Sequence, residues 1–242
     1  MKIRFIGTGN ITAVENNACY LIDDHILIDC GNGIVKTVGQ YGYDVNRIDT
    51  VVITHLHGDH FLDLPFLIMQ RCFTGAENRL KIYCPEHTEE AVDGIMKIAY
   101  PDVENFDSIK KRSNTEFFEI GNCMVIEETD MRICFLKVAH GDCDDAYGFT
   151  LRISDSCVGF SGDSAYCEAI EDIVRNSDAA VLDMSFAKGG KDHMGIDTVC
   201  EIISNNHKPV YATHMSTASR KQAEKLNNDL LIVTKDGQEV VI

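Results

Sequence analysis

The sequence lacks several features that would place a chain of 242 residues in other classes of protein. No apolar stretch approaches the roughly 20 residues of a membrane-spanning helix, so we expect no membrane partner. The N-terminal segment has no apolar run ahead of a small-residue cleavage site and therefore does not look like a secretion signal. Linker-like segments and short repeats are also lacking, which indicates a single domain over residues 1–242.

The ten cysteines form no Cys-x-x-Cys pair, which disfavours a zinc knuckle or a thioredoxin-type motif. Most lie in apolar segments, as Cys134 does, where a free thiol behaves as a small hydrophobic side chain. Reduced thiols of this kind are typical of the cytoplasm, and we expect a cytoplasmic protein.

Positive charge is scarce, with 22 basic against 38 acidic residues and a formal net charge of −16. Long nucleic acids are held by many contacts from lysine and arginine to phosphate, so extended nucleic acid is an unlikely partner and a compact substrate fits better. One basic triplet, Lys110-Lys-Arg112, lies in the segment 100–115, which we interpret as a solvated turn.

Strands and helices alternate along the chain around a β-rich middle. Short β-branched or apolar runs predict strands at 2–6, 18–22, 25–29, 50–54, 80–84, 116–120, 122–127, 131–139, 146–153, 156–161, 178–183, 209–213, 230–234 and 238–242. Helices are predicted at 32–41, 60–73, 86–99, 165–175, 196–205 and 216–227. This order suits an α/β fold in which two sheets pack face to face with helices outside, an αββα sandwich.

The strongest chemical signal is the segment from Val51 to His60, an apolar strand that runs into His-Leu-His-Gly-Asp-His. His55 and His57 would point the same way on an extended segment, because side chains alternate along a strand. Gly58 permits a tight turn, after which Asp59 and His60 begin the next helix and face a second point nearby. One cluster can therefore serve two metal ions about 3.5–4 Å apart, as two-metal hydrolysis requires.

The pattern His55-x-His57-x-Asp59-His60 resembles the signature of the metallo-β-lactamase superfamily, and the resemblance extends over nearly the whole chain. It implies the metallo-β-lactamase fold and two divalent metal ions. Further matching segments follow in the superfamily's order and in each case end a predicted strand: Val138-Ala-His140, Ser161-Gly-Asp163-Ser164 and Ala212-Thr-His214.

Carried over residue by residue, the resemblance implies one ion held by His55, His57 and His140, a second held by Asp59, His60 and His214, and Asp163 as a bridge. Asp29 matches a family aspartate that supports the site without binding metal. Imidazole and carboxylate ligands suit Zn²⁺ best, and Mn²⁺ or Fe would also be accommodated.

The flanking residues indicate the branch of the superfamily. An aspartate at position 163 disfavours the antibiotic-hydrolysing lactamases, whereas Asp183 and His193 are similar to a carboxylate–histidine pair of ribonuclease Z and its small-molecule phosphodiesterase relatives. The resemblance implies that His193 protonates the leaving oxygen, that Asp183 orients it, and that Asp59 or Asp163 orients the attacking hydroxide. Glycines around His193 fit a mobile loop that closes over the substrate.

The chain departs from ribonuclease Z because it lacks the long tRNA-gripping arm, with His140 and Asp163 separated by 22 residues of predicted strand and turn. It resembles more closely the compact relatives, which include anti-Pycsar enzymes that open cyclic nucleotides and the cyclic-phosphate diesterases of phosphonate breakdown. We therefore expect a metal-dependent phosphodiesterase that acts on a small phosphodiester, a cyclic nucleotide above all. A tRNA 3′-processing endonuclease and a non-catalytic metal or nucleotide sensor are the alternatives.

The resemblance also implies a homodimer, in some relatives with a loop that reaches the partner's site. Four aromatic side chains are candidate pocket walls, although a core position fits each of them better: Phe61, Phe73, Tyr100 and Phe186. The remaining histidines are expected at the surface or in turns: His25, His87 and His207.

Overall fold

Two sheets form the centre of the fold in the computed structural model, which describes residues 1–103 and 105–242. Within those residues each sheet has seven strands. The first sheet contains, in chain order, β1 (Lys2–Gly7), β2 (Cys19–Ile22), β3 (Ile26–Ile28), β4 (Thr50–Val52), β5 (Leu80–Cys84), β6 (Thr115–Glu119) and β14 (Glu239–Val241). The second contains β7 (Val125–Glu127), β8 (Met131–Lys137), β9 (Tyr147–Ile153), β10 (Ser156–Phe160), β11 (Ala179–Asp183), β12 (Val210–Thr213) and β13 (Leu231–Val233).

The helices cover the outer faces of the two sheets. They are α1 (Ile34–Gln40), α2 (Gly58–Phe61), α3 (Leu64–Thr74), α4 (Thr88–Ala99), α5 (Phe106–Arg112), α6 (Glu168–Arg175), α7 (Ile196–Asn206) and α8 (Thr217–Ala223), with a short 3-10 helix at Val45–Arg47. None of these helices is both long enough and apolar enough to cross a bilayer, over the residues that the structure describes.

Three layers of buried apolar side chains hold the sheets and helices together. Aromatic residues of both sheets fill the space between them, among them Phe5, Tyr20, Phe135 and Phe160. A second layer lies under α1, α3 and α4, and a third under α6 and α7. The predicted αββα sandwich is therefore confirmed.

Strand direction brings the ends of many strands to one edge of the sandwich. In the first sheet β3, β4, β5 and β6 are parallel, and in the second β10, β11, β12 and β13 are parallel. β8 runs in the same direction as β10, because each pairs antiparallel with β9. Segments that follow these strands therefore meet at a common edge, where rigid elements can position functional side chains.

The prediction of a solvated turn at 100–115 is wrong over its second half, which forms α5. The Lys110 side chain is only 7% exposed and its ammonium forms ion pairs with Glu89, Asp93 and Asp107. Burial of the lysine stem with a paired ammonium explains why Lys110 leaves solvent, whereas Lys111 and Arg112 stay exposed.

The predicted helix 60–73 is divided into α2 and α3. α3 has Pro65 in its first turn, a position that proline tolerates because the first N–H groups of a helix have no intrahelical partner. The break leaves α2 as a single turn that carries Asp59 and His60, both buried. Gly58 begins α2 and does not occupy the left-handed region, so the turn that we attributed to it does not depend on glycine conformation.

Candidate metal centre

The first group of candidate ligands consists of His55, His57 and His140, whose ligand atoms all lie within 4.8 Å of one another. His55 follows β4, and His140 follows β8 on the other sheet. The Nδ1 atom of His57 lies 3.0 Å from Nε2 of His140. Ring nitrogens from the two sheets thus converge on one point.

Neighbouring groups orient the rings of two of these histidines. Thr54 Oγ1 lies 3.0 Å from Asp29 Oδ2, to which it donates, and 3.0 Å from His55 Nδ1, from which it accepts. His140 Nδ1 lies 2.6 Å from the main-chain oxygen of Asp192 and donates to it. In both rings Nδ1 therefore carries the hydrogen and Nε2 presents its lone pair to the first group, as in metal-binding histidines generally.

His55 supplies a direct test of whether a cation fits here. Its Nε2 atom is buried and has no hydrogen-bond partner among the residues that the structure describes. A buried polar nitrogen without a partner is costly, and coordination of a divalent cation would satisfy it. The first group therefore fits a metal ion by the chemistry of its own atoms.

The second group consists of Asp59, His60 and His214, again with ligand atoms within 4.8 Å. Asp163 lies between the two groups. Its Oδ2 atom is 3.2 Å from Nε2 of His60, 3.2 Å from Nε2 of His214 and 3.8 Å from Nε2 of His55. One carboxylate is therefore within reach of histidines from both groups.

The outer nitrogens of the second group are also paired. His60 Nδ1 donates to Asp29 Oδ2 at 2.8 Å. His214 Nδ1 lies 2.9 Å from Ser185 Oγ, whose hydroxyl lies 2.7 Å from Asp183 Oδ1. Asp29 therefore supports histidines of both groups, directly for His60 and through Thr54 for His55.

The two groups differ in charge. Burial, together with the neighbouring His60, holds the pKa of His55 well below its usual value. Burial acts in the same direction on His60 and His214, but Asp163 and other carboxylates outweigh it, and the pKa of His214 is raised to about 10. His55 of the first group thus favours the neutral imidazole form, whereas the second group pairs its imidazoles with carboxylates.

His193 lies beside both groups and is held by Asp183. Its Nδ1 atom is 2.8 Å from Asp183 Oδ2, and its ring stacks on His214 with 5.3 Å between centroids. Asp183 is fully buried, and its other oxygen accepts from the main chain and hydroxyl of Ser185. Burial opposes the charged form of His193, but the bond to Asp183 outweighs it and raises the pKa of His193.

The loop that carries His193 is already fastened in place. Besides the bond from His140 to Asp192, the main-chain N–H of Gly141 donates to Lys191 O at 3.1 Å, and Gly190 N donates to His193 O at 2.9 Å. His193 therefore reaches Asp183 without the loop closure that the glycine-rich sequence suggested.

Two cavities open over the groups and share the side chains of His57, Phe186 and His193. The first, of about 340 Å³, is also lined by Asn10, Ile11, Thr12 and Asp59 among others. The second, of about 620 Å³, is also lined by His140, Asp142, Cys143 and Asp192. Both have the size of ligand sites, which is roughly 300–1,000 Å³.

The other candidate aromatics and histidines lie elsewhere. Phe61 is buried in the core, and Phe73 and Tyr100 are exposed and line neither of these cavities. His87 and His207 are exposed, and His25 is half-buried and bonded to Asp49, so all three occupy the surface or turn positions predicted for them.

Sequence reasoning missed the groups that act behind the histidines. In the sequence, Thr54 is recognisable only as a hydroxyl residue next to His55, and Ser185 only as a hydroxyl residue two positions after Asp183. The carbonyl of Asp192 gives no sequence signal, since every residue has one. Ile11 and Thr12, which line the first cavity, lie in a turn shortly after β1 and carry no motif of their own.

Comparison with known proteins identifies the family. The model of the family described as anti-Pycsar protein Apyc1 matches residues 1–238. The chain belongs to this family. It is also a ribonuclease Z-like member of the metallo-β-lactamase superfamily.

Several known proteins are similar to this chain in sequence or in fold. Ribonuclease Z of Methanothermobacter thermautotrophicus is 30% identical over 154 residues, which are 62% of this chain and 48% of the relative. The match thus spans about half the length of that relative. The metallo-β-lactamase fold protein YhfI from Bacillus subtilis covers 99% of both chains with a TM-score of 0.77 and 20% identity. A diphosphatase from the PhnP family covers 100% of this chain and 97% of its own, with a TM-score of 0.74 and 20% identity.

Proposed function

We propose that this chain is a metal-dependent phosphodiesterase that hydrolyses a small phosphodiester, a cyclic nucleotide, at the candidate metal centre. The observation that carries the proposal is the His193–Asp183 pair, a buried carboxylate holding a proton-donating imidazole beside two converging ligand groups. Membership of the anti-Pycsar protein Apyc1 family supports it, since we noted a resemblance to compact enzymes that open cyclic nucleotides.

Two divalent ions fit the arrangement, with Zn²⁺ suiting the ligand chemistry best and Mn²⁺ or Fe as other candidates. His55, His57 and His140 would hold one ion, Asp59, His60 and His214 the other, and Asp163 would contact both. Bound divalent cations lower the pKa of water and offset the negative charge that develops on a phosphoryl group.

The residues of the chain supply orientation and a proton. Asp59 or Asp163 would accept a hydrogen bond from the attacking water and align it with phosphorus. His193, whose Nδ1 is engaged by Asp183, donates its Nε2 proton to the departing sugar oxygen as the P–O bond breaks. Burial acts against the charged form of His193, but the hydrogen bond to Asp183 outweighs it and raises the pKa of His193, which favours the protonated form.

A small substrate is favoured by the lining of the site. The charged side chains that line the two cavities are aspartates and histidines, and the chain as a whole carries a formal charge of −16. A polyanion would be repelled over its length, whereas one phosphodiester places a single charge at the metal centre.

Processing of the tRNA 3′ end is the second candidate, favoured by the 30% identity to a ribonuclease Z. Turnover is measured on three substrates, each with added Zn²⁺ or Mn²⁺: 3′,5′-cyclic nucleotides, unprocessed tRNA and bis(p-nitrophenyl) phosphate. The result distinguishes a cyclic-nucleotide phosphodiesterase, a tRNA endonuclease and a non-catalytic sensor. We expect the cyclic nucleotides to be hydrolysed with the highest kcat/KM. Cleavage of tRNA alone would favour the endonuclease, and no turnover by a metal-filled protein would favour a sensor.

The homodimer implied by the family resemblance stays a prediction. Light scattering on the purified chain measures it directly, with twice the 27.0 kDa monomer mass expected.

A further inference from the structure

Two apolar side chains are exposed at the mouth of the first cavity, which is otherwise polar. Ile11 is 76% exposed and Phe186 is 47% exposed, and both line this cavity together with Asp59, Asp163 and His214. Large apolar groups exposed inside a ligand-sized cavity indicate contact with an apolar part of a ligand.

Phe186 is presented by rigid backbone. It follows β11, and its carbonyl accepts from Ile196 N at 3.0 Å, while Phe186 and Gly195 form an isolated β-bridge. Its ring meets the His193 ring edge-on, with 5.7 Å between centroids and 74° between planes. The phenyl ring is therefore fixed relative to His193 and leaves part of its surface open to the cavity.

Ile11 lies on a loop whose two ends are hydrogen-bonded to residues near the C-terminal end of the chain. Asp236 accepts from Thr8 Oγ1 at 2.8 Å and from Asn16 N at 2.7 Å. Arg220 donates to Thr8 Oγ1 at 2.8 Å and contacts Glu15 at 3.1 Å. Both ends of the loop are thus held, so Ile11 faces the cavity from a defined position.

The loop also places polar atoms beside Ile11. Thr12 donates through its main-chain nitrogen and its hydroxyl to Asn10 Oδ1, at 3.0 and 2.8 Å. These bonds fold the segment from Asn10 to Thr12 into a compact turn, and all three of its residues line the same cavity. The cavity is therefore lined both by candidate metal ligands and by two apolar side chains with polar neighbours.

We propose that Ile11 and Phe186 form a slot for the nucleobase of a nucleotide substrate whose phosphodiester lies at the metal centre; this inference rests on the proposed function. A cyclic nucleotide matches this lining, because its charge is confined to one phosphate and its base has a flat, weakly polar face. Stacking of bases on aromatic rings tolerates different bases, so the slot would accept more than one nucleotide. Asn10 and Thr12 line the same cavity and would lie beside the base.

The experiment compares two substrates on four variants of the metal-loaded protein: Phe186→Leu, Phe186→Tyr, Phe73→Ala and Ile11→Ser. The substrates are a nucleoside 3′,5′-cyclic monophosphate and the 1-O-methyl ribose 3,5-cyclic phosphate that lacks a base. Phe186→Leu keeps apolar packing on His193 but removes the ring, Phe186→Tyr keeps the ring, and Phe73→Ala removes an exposed ring that lines neither cavity over the metal centre.

We expect Phe186→Leu to raise KM for the nucleotide about 10–100-fold, the range that loss of base stacking produces. Its kcat/KM for the base-free substrate should fall much less than its kcat/KM for the nucleotide. Phe73→Ala should resemble the wild type on both substrates, Phe186→Tyr should raise KM for the nucleotide less than Phe186→Leu does, and Ile11→Ser should raise KM for the nucleotide more than for the base-free substrate. Equal losses on both substrates would overturn the slot, because Phe186 would then act only by supporting His193.

Failure of the slot is distinguishable from failure of the proposed function. If the wild type hydrolyses neither substrate, the proposed function fails, and the slot is tested by calorimetric binding of the same cyclic nucleotide. Weaker binding by Phe186→Leu than by Phe186→Tyr supports the slot, and equal binding overturns it. Unprocessed tRNA is tested as a further substrate. If Phe186→Leu reduces activity on tRNA alone, the slot binds a base of RNA, and the proposal that it binds a small nucleotide is wrong.

Discussion

His140 Nδ1 donates to the main-chain oxygen of Asp192 at 2.6 Å, and the next residue is His193. A ligand of the first group and the proposed proton donor are therefore joined by one hydrogen bond and one peptide unit. His193 also bonds to Asp183, and Asp183 is linked through Ser185 to His214 of the second group. Hydrogen bonds therefore connect His193 to both groups of candidate ligands. The position of His193 is thus tied to the positions of the ligands.

Gly141 follows His140 and packs against Asp192. Its φ of +55° lies in the left-handed region that favours glycine, and a Cβ atom there would lie 1.9 Å from Asp192 Oδ1, so the Asp192 side chain would have to move. We expect Gly141→Ala to displace the loop and reduce kcat for the phosphodiester towards the roughly 10²-fold that an ångström of misplacement can cost. Steady-state kinetics on metal-loaded protein measures it.

Asp192→Ala is the matched comparison, because its main-chain carbonyl is retained while the side chain is removed. It should cost much less than Gly141→Ala, and the double variant should recover part of the loss by making room for the new methyl group. A larger loss in Asp192→Ala than in Gly141→Ala would contradict a main-chain role for Asp192.

We expect removal of the Thr54 hydroxyl to weaken metal affinity. Thr54→Val keeps the shape of the side chain but removes the hydroxyl between Asp29 and His55. Loss of a partner behind a metal-binding histidine typically weakens affinity by about 10–100-fold. Competition with a chelating dye measures the change, and Thr54→Ser, which retains the hydroxyl, should bind metal like the wild type. If Thr54→Val and the wild type bind metal with equal affinity, the Thr54 hydroxyl does not contribute to metal binding.

The sequence allowed the sandwich and the ligand set to be predicted for different reasons. Strand and helix periodicity predicted the layers, while the density of histidines between His55 and His60 predicted the metal chemistry. The pairing of His193 with Asp183 followed from family resemblance, since nothing in a ten-residue separation dictates contact. α5 was missed because the ion-pair partners Glu89 and Asp93 precede Lys110 by 21 and 17 residues, and local charge pattern does not reveal them.

Lys110 predicts a pH-dependent effect on stability. Lys110→Met leaves Glu89, Asp93 and Asp107 close together without their cation, and we expect the free energy of unfolding near neutral pH to fall by about 1–3 kcal/mol. The hydrogen bond to Lys110 holds the pKa of Asp107 below its usual value. That contribution is present above the unfolded-state pKa and is lost as pH falls through the lowered pKa.

The difference in unfolding free energy between wild type and Lys110→Met should therefore shrink on acidification, as pH falls through the lowered pKa of Asp107. Denaturant titrations at a series of pH values measure it, with the exposed neighbour Lys111→Met as control. A difference that grows on acidification would contradict the ion-pair explanation.

The central claim is tested most directly by measuring metal content and cyclic-nucleotide turnover on the same samples of wild type, Asp163→Ala and His193→Ala. We predict that Asp163→Ala loses bound metal and turnover together. His193→Ala should keep wild-type metal content while its rate falls by about 10²–10⁴-fold, the range for loss of a general acid. Loss of metal from His193→Ala, or full turnover by Asp163→Ala, would contradict the account.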